Sequence, residues 1–216
     1  MKNALWVCIA LLSGWWAVNW AKKDIRHQRL IGHTFGEAHL SEKVATVCVV
    51  PVLCAGIVSL FSFRHDSVWI ILAFTACVTT GLRVSLIDID THSIPQRVML
   101  RATVLLLLLL CAAAFANTGV DIVEILMAGT IAWIAMWLLE LLSRGDLGHA
   151  DVVLSGYLGL FVGAVGYERL PTALFVAFLI AGLVALVMIA AKRATRATHI
   201  PLGPFLFVGM VVAVLR

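Results

Sequence analysis

Residues 98–116 read VMLRATVLLLLLLCAAAFA, an apolar stretch of 19 positions in which Arg101 is the only charged residue. A helix needs about 20 such residues to cross the hydrocarbon core of a bilayer. The whole chain of 216 residues has the same character, with 62% hydrophobic and 13% charged residues. Ordinary soluble domains have about 45–50% and about 25%. The composition therefore excludes a water-soluble fold and predicts an integral membrane protein.

Other apolar runs of similar length lie on both sides of this stretch. We expect an all-α fold of about eight transmembrane helices that forms one polytopic domain over residues 1–216. The spans are predicted at residues 4–20, 44–62, 68–87, 98–116, 122–142, 151–166, 172–191 and 200–215.

The basic residues predict how the chain is oriented in the membrane. If the segment after the first span is cytoplasmic, the inner side holds twelve of the sixteen Lys and Arg residues. These are Lys22, Lys23, Arg26, Arg29, Lys43, Arg83, Arg97, Arg101, Arg144, Lys192, Arg193 and Arg196. Because basic residues collect in cytoplasmic segments, both termini are expected outside the cytoplasm. The net charge of +4 then indicates contact with membrane lipid and no nucleic acid.

Two predicted inner loops contain most of the unusual polar residues. Residues 83–97 place Asp88 where the third span meets the interface, with Asp90 two residues later. Residues 144–155 place Asp151 at the start of the sixth span, with Asp146 just before it. Ionisable groups at this depth are costly and are functional candidates. Since both loops lie on one side, their carboxylates can meet.

A stripe of small residues follows the second aspartate. Ser155, Gly159 and Gly163 lie at intervals of four after Asp151 and share its helix face. Such a stripe lets a neighbouring helix approach closely. If that neighbour is the third span, Asp88 and Asp151 face each other across a cleft.

Two carboxylates in one poorly solvated cleft form an acid/base device. Mutual repulsion keeps one protonated while the other stays ionised. The ionised group can take a proton from water, and the protonated group can polarise a carbonyl and protonate a leaving amine. This chemistry requires no metal or cofactor.

Other interpretations of the same residues stay open. Asp88, Asp90 and His92 have ligand types that suit a divalent ion. An ion-coupled transporter would use Glu124 and Glu140 together with the aspartate pair. A structural subunit of a secretion assembly would need neither aspartate.

Three segments resemble the type IV prepilin peptidases, which are membrane aspartyl proteases with a GxGD motif. Residues 88–95, DIDTHSIP, match an aspartate followed seven positions later by proline. Residues 148–154, GHADVVL, are similar to the GxGD segment, and residues 200–206, IPLGPFL, to the start of the last span. The resemblance covers about residues 70–215.

The resemblance implies an activity and assigns roles to residues. It implies removal of a short basic leader from pilin-like precursors at the cytoplasmic face of a bacterial inner membrane. The catalytic pair would be Asp88 and Asp151, with Asp90 as the alternative first aspartate. Gly148 and Ala150 occupy the glycine positions of GxGD, and alanine should be tolerated unless that position needs a positive φ.

The resemblance also leads to expectations about substrate and domain content. We expect the substrate's apolar segment to dock along Ser155, Gly159 and Gly163, while Asp146 and Asp90 receive the lysines of its leader. Bifunctional members carry a zinc domain with paired C-x-x-C motifs between their first two spans. Residues 21–43 contain no cysteine, which predicts a short form without the zinc and methyltransferase domain.

Overall fold

The computed structural model describes residues 2–30, 44–91, 94–116, 118–143, 147–192 and 201–216. In these ranges the chain is helical and forms no strand. The helices are α1 (Lys2–Leu30), α2 (Val44–Ser62), α3 (Val68–Thr91), α4 (Gln96–Phe115), α5 (Ile122–Leu142), α6 (His149–Val165), a 3₁₀ turn (Tyr167–Arg169), α7 (Leu170–Ala190) and α8 (Gly203–Leu215).

Most helix boundaries agree with the predicted spans, but two helices are longer. α1 continues to Leu30 because residues 21–30 are mostly good helix formers, although they are polar. α3 continues to Thr91, since neither proline nor glycine interrupts it after Gly81. The prediction that Asp88 and Asp90 lie in a loop is therefore wrong, because both belong to the last turns of a helix.

Five helical segments are long and apolar enough to cross a membrane. They are Ala4–Gln28, Val68–Thr91, Gln96–Phe115, Ile122–Leu142 and Tyr167–Ala190. Three shorter apolar helices accompany them, over Thr46–Ser62, His149–Val165 and Gly203–Leu215. The predicted class of helical multi-pass membrane protein is confirmed, and of the eight predicted spans the described residues provide five of full length.

α3 is the central helix of the bundle. Within its apolar window 78% of the residues are buried, against 33% in α1, 28% in α4 and α5, and 11% in the segment of α7. It contacts α1, α2, α4, α6 and α8. A side chain near the end of α3 is consequently surrounded by protein.

α6 packs closely against α5 through its glycines. A Cβ added at Gly159 would lie 2.7 Å from Ala132 Cβ and 2.9 Å from the carbonyl oxygen of Ala128. Ser155 Oγ donates to the carbonyl of Ala132 across the same interface at 3.3 Å. Because lipid is as apolar as the helices, such close contact rather than hydrophobic burial holds transmembrane helices together.

This packing corrects two expectations about the stripe of Ser155, Gly159 and Gly163. Its neighbour is α5 and not α3, and at Gly163 a Cβ would lie 2.6 Å from the carbonyl oxygen of Glu124 on α5. The stripe is thus covered by the protein itself. A substrate segment cannot dock there without displacing α5.

α8 is held at both ends. At its C-terminal end, Arg169 Nη1 donates to the carbonyl of Val214 at 3.0 Å, and Arg64 Nη1 donates to that of Leu215. These arginines satisfy carbonyls that a helix end leaves without partners and complement its negative dipole end. At its first residue, the amide of Gly203 donates to Asp88 on α3.

Candidate active site

Three helix ends meet where the candidate carboxylates lie. The amide nitrogen of Gly203, at the start of α8, donates to Asp88 Oδ2 at 3.0 Å. A Cβ added at Gly203 would also lie 3.4 Å from Leu154 Cδ2 on α6. The last turns of α3 and the first turns of α6 and α8 therefore form one end of the bundle, and Asp88 is buried there with 6% of its surface exposed.

Asp151 lies in the first turn of α6, three residues after the N-cap Gly148. Its Oδ1 atom is buried and has no hydrogen-bond partner among the residues that the structure describes. Asp88 is the acidic neighbour whose charge acts on Asp151. The two predicted catalytic residues share one site.

Asp90 does not point in the same direction as Asp88. Residues two apart leave a helix about 200° apart, on nearly opposite sides. Asp90 is buried, with 3% exposed. Its contact with the lysines of a leader stays a prediction.

The hypothesis of a metal bound by Asp88, Asp90 and His92 depends partly on an undescribed position, because His92 lies outside the described residues. The opposite directions of the two carboxylates disfavour a shared ion. Across the described ranges, His, Cys, Asp and Glu form no group of three that could hold a metal. Asp146 also lies outside the described residues, and its role stays a prediction.

Gly203 is a part of the site to which the sequence analysis assigned no role. A Cβ there would lie 2.8 Å from Asp88 Oδ2 and 3.4 Å from its Cγ. Glycine is needed at this position for space, because the backbone of α8 approaches the carboxylate directly. The signal was present in residues 201–204, PLGP, where a glycine between prolines marks the start of a helix.

Ala150, at the second glycine position of the GxGD-like segment, has no positive φ. Ala150 is helical, and Lys192 is the only non-glycine residue with a positive φ among those described. Gly148 has an ordinary φ of −71° as the N-cap of α6. The condition under which Ala150 was expected to fit is therefore met.

The other acids considered for ion transport lie at the two ends of α5. Glu140 Oε2 is 3.2 Å from Nδ1 of His149, which links the end of α5 to the start of α6. Glu124 is in the first turn of α5, about 24 Å away along the helix axis at 1.5 Å per residue. These two acids do not form a continuous path with the aspartate pair.

The architecture and the paired carboxylates define a helical membrane protein with an acidic site at one end of its bundle. The sequence profile of the type IV leader peptidase family matches residues 75–187, which are 113 of the 216 positions and include both aspartates. The chain belongs to the type IV leader peptidase family.

A curated relative in this comparison is a prepilin leader peptidase/N-methyltransferase of Stutzerimonas stutzeri, 26% identical over 135 residues. The matched region is 62% of this chain and 46% of the relative, so the chain aligns with about half of that protein. No solved structure matches the chain.

Proposed function

We propose that this protein is an aspartic endopeptidase that removes the short basic leader of pilin-like precursors, with Asp88 and Asp151 as its catalytic pair. The observation that carries the proposal is that the end of α3 with Asp88 and the start of α6 with Asp151 lie at one end of the bundle, where Gly203 of α8 contacts Asp88 and lies beside Leu154 of α6. Membership of the type IV leader peptidase family supports proteolysis. The name of the Stutzerimonas stutzeri relative supports a prepilin substrate.

The two carboxyl groups divide the acid and base work of amide hydrolysis. Because two negative charges in a buried site repel, the pair holds one proton. The amide of Gly203 donates to Asp88 Oδ2 and stabilises negative charge there. The ionised carboxylate takes a proton from water, whose oxygen attacks the scissile carbonyl.

The protonated carboxyl group completes the reaction. It donates a hydrogen bond to the carbonyl oxygen as that oxygen gains negative charge, and a proton then passes to the leaving amine. One water is consumed, and a carboxylic acid and an amine are released. Asp151 Oδ1, which has no partner among the described residues, is the atom available for the substrate carbonyl.

We place this site at the cytoplasmic face of a bacterial inner membrane, in a single domain whose termini lie on the other side. The support is the distribution of charge along the chain, in which twelve of sixteen basic residues fall on one side of the predicted spans. An ion-coupled transporter is not favoured, because Glu140 is engaged by His149 and Glu124 lies at the far end of α5.

The test is leader removal from a co-expressed pilin precursor, followed by gel mobility. Asp88→Asn and Asp151→Asn should each lower cleavage on the order of 10³-fold, because each removes half of one acid/base device. The double variant should be no worse than either single one.

Asp121→Asn is the matched control for these variants. Asp121 is the N-cap of α5 and accepts from the amide of Val123, and asparagine caps a helix about as well as aspartate. Its activity should match the parent. Substantial cleavage by Asp151→Asn would falsify the assignment, and loss in Asp90→Asn with normal activity in Asp88→Asn would move the first role to Asp90.

A further inference from the structure

α1 carries an open groove of about 420 Å³ that the proposed peptidase activity does not use. Its apolar wall consists of Trp15, Trp16 and Trp20. The first two are 55% and 46% exposed, and the ring centroids of Trp16 and Trp20 are 4.5 Å apart. Tryptophan is enriched where lipid meets water, so this wall is suited to the upper part of a lipid's acyl chains.

The other end of the groove is cationic. Lys22, Lys23 and Arg26 line it, and none of them forms an ion pair within the described part of the chain. Asp24 lies between them in the sequence, but Arg83 engages its Oδ2 through Nε at 2.9 Å and Nη2 at 2.5 Å. The charge of Asp24 is therefore paired with that of Arg83 on α3. The three positive charges of the groove remain.

The length of α1 indicates that the groove lies near the point where this helix leaves the hydrocarbon core. α1 has 29 residues and is about 43 Å long at 1.5 Å per residue, whereas the core is about 30 Å thick. The lining residues repeat at intervals of three and four, from Trp15 to Arg26, along two adjacent stripes of the helix. The tryptophans consequently lie towards the apolar side and the cations towards the headgroups.

We propose that this groove of α1 binds the headgroup of an anionic phospholipid, with its phosphate between Lys22, Lys23 and Arg26 and its acyl chains against the tryptophans. Three cations that form no ion pair with any described residue, one of them (Lys23) over the ring of Trp20, complement a ligand that is anionic at one end and apolar at the other. A basic peptide such as the proposed leader would be repelled. Neither Asp88 nor Asp151 lines this groove, and its charge is opposite to theirs.

The test uses the full chain in bilayer vesicles that contain either brominated phosphatidylglycerol or brominated phosphatidylcholine. Bromine quenches tryptophan fluorescence on contact, and we expect stronger quenching by the anionic lipid. Each cation near an anionic headgroup contributes about fivefold in affinity. Lys22→Gln with Arg26→Gln should thus reduce the preference for phosphatidylglycerol by about 25-fold.

Arg97→Gln with Arg101→Gln provides a matched control. This pair is also four residues apart and near the end of a helix, and both its side chains are exposed, as is Arg26, so it removes the same charge elsewhere. The control should keep the preference of the parent. Circular dichroism of both double variants confirms that they are folded.

Three results would overturn the proposal. One is equal quenching of the parent protein by the two lipids. Another is an equal loss of lipid preference in the control variant, which would show that the preference depends only on the total charge of the protein. The third is removal of the preference by millimolar inorganic phosphate, which would indicate a site for small anions. Trp16→Phe should weaken quenching by phosphatidylglycerol more than quenching by phosphatidylcholine. The substitution removes a fluorophore of the groove, whereas the tryptophans outside the groove remain.

Discussion

The contact between Gly203 and Asp88 shows how one missing side chain shapes the candidate site. The amide of Gly203 reaches Asp88 Oδ2 at 3.0 Å only because no Cβ stands between them. The hydrogen bond fixes the direction of the carboxylate and stabilises its charge. A residue without a side chain therefore determines where the proposed base, Asp88, lies.

We expect Gly203→Ala to lower cleavage by at least about tenfold. The added Cβ would lie 2.8 Å from Asp88 Oδ2, so the carboxylate or the start of α8 must move, and misplacement of a catalytic group by about 1 Å can cost 10²-fold. The rate of leader removal under saturating substrate measures the effect.

Gly56→Ala on α2 is the control for this substitution, since nothing lies within 4 Å of its added Cβ. It should retain most of the activity. If both alanine variants cleave at the parent rate, the close approach of α8 to Asp88 has no role in catalysis.

The pair formed by α5 and α6 shows what holds the first turn of α6 in place. The glycines of α6 let the two backbones approach, and the pair ends at the His149–Glu140 contact beside the carboxylate site. We infer that this interface supports the position of Asp151 and that it does not bind substrate.

Gly159→Ala should therefore lower the thermal stability of the protein in detergent. Its Cβ would lie 2.7 Å from Ala132 Cβ and 2.9 Å from the carbonyl oxygen of Ala128, and overpacking of this kind costs about 1–3 kcal/mol. Thermal unfolding followed by circular dichroism measures the loss.

Gly182→Ala on α7 is the matched control, because nothing lies within 4 Å of its added Cβ. It should be neutral or stabilising by up to about 1 kcal/mol, since alanine favours a helix over glycine. Equal Tm values for the two variants would contradict the role of the α5–α6 contact.

The sequence predicted the bounds of the helices better than it predicted which helices contact each other. Bilayer thickness sets the length of an apolar span, so α2 and α5 begin and end as predicted. The partner of the small-residue stripe was not predicted, since apolar faces look alike in lipid. A signal existed in Ala128, Gly129 and Ala132 of α5, whose spacing is typical of a close helix contact.

The candidate site was predictable in its charged residues only. Carboxylates are conspicuous in apolar surroundings, and Asp88 and Asp151 were selected for that reason. The role of Gly203 depends on an approach between residues 115 positions apart, which no local pattern expresses. The end of α3 lies beyond the predicted residue 87, because the helix continues to Thr91 where hydropathy declines.

At the scale of the whole molecule, α3 is the element to which the functional features are attached. It carries Asp88 near one end, and its Arg83 joins it to Asp24 on α1. Phe74 of α3 packs in an aromatic core. Its ring centroid lies 4.1 Å from that of Phe61 on α2 and 5.1 Å from that of Phe161 on α6. Because these helices share one central partner, the site belongs to the assembled bundle and not to a single segment.

Because α8 is attached at both ends, its length determines whether both sets of contacts can form together. α8 spans thirteen residues from Gly203, which contacts Asp88, to Leu215, at the end held by Arg64 and Arg169. One inserted alanine would shift the register by 1.5 Å and about 100°. Either the arginine contacts or the amide of Gly203 must then be out of place.

An alanine inserted after Val208 should therefore abolish leader removal, as measured by gel mobility. The same insertion after Gly182 should be tolerated, because α7 is mostly exposed there. Equal activity of the two insertion variants would show that leader removal does not depend on the register of α8. The length of α8 is thus expected to be fixed while that of α7 can vary, so an insertion or deletion in one short helix would act on chemistry at its far end.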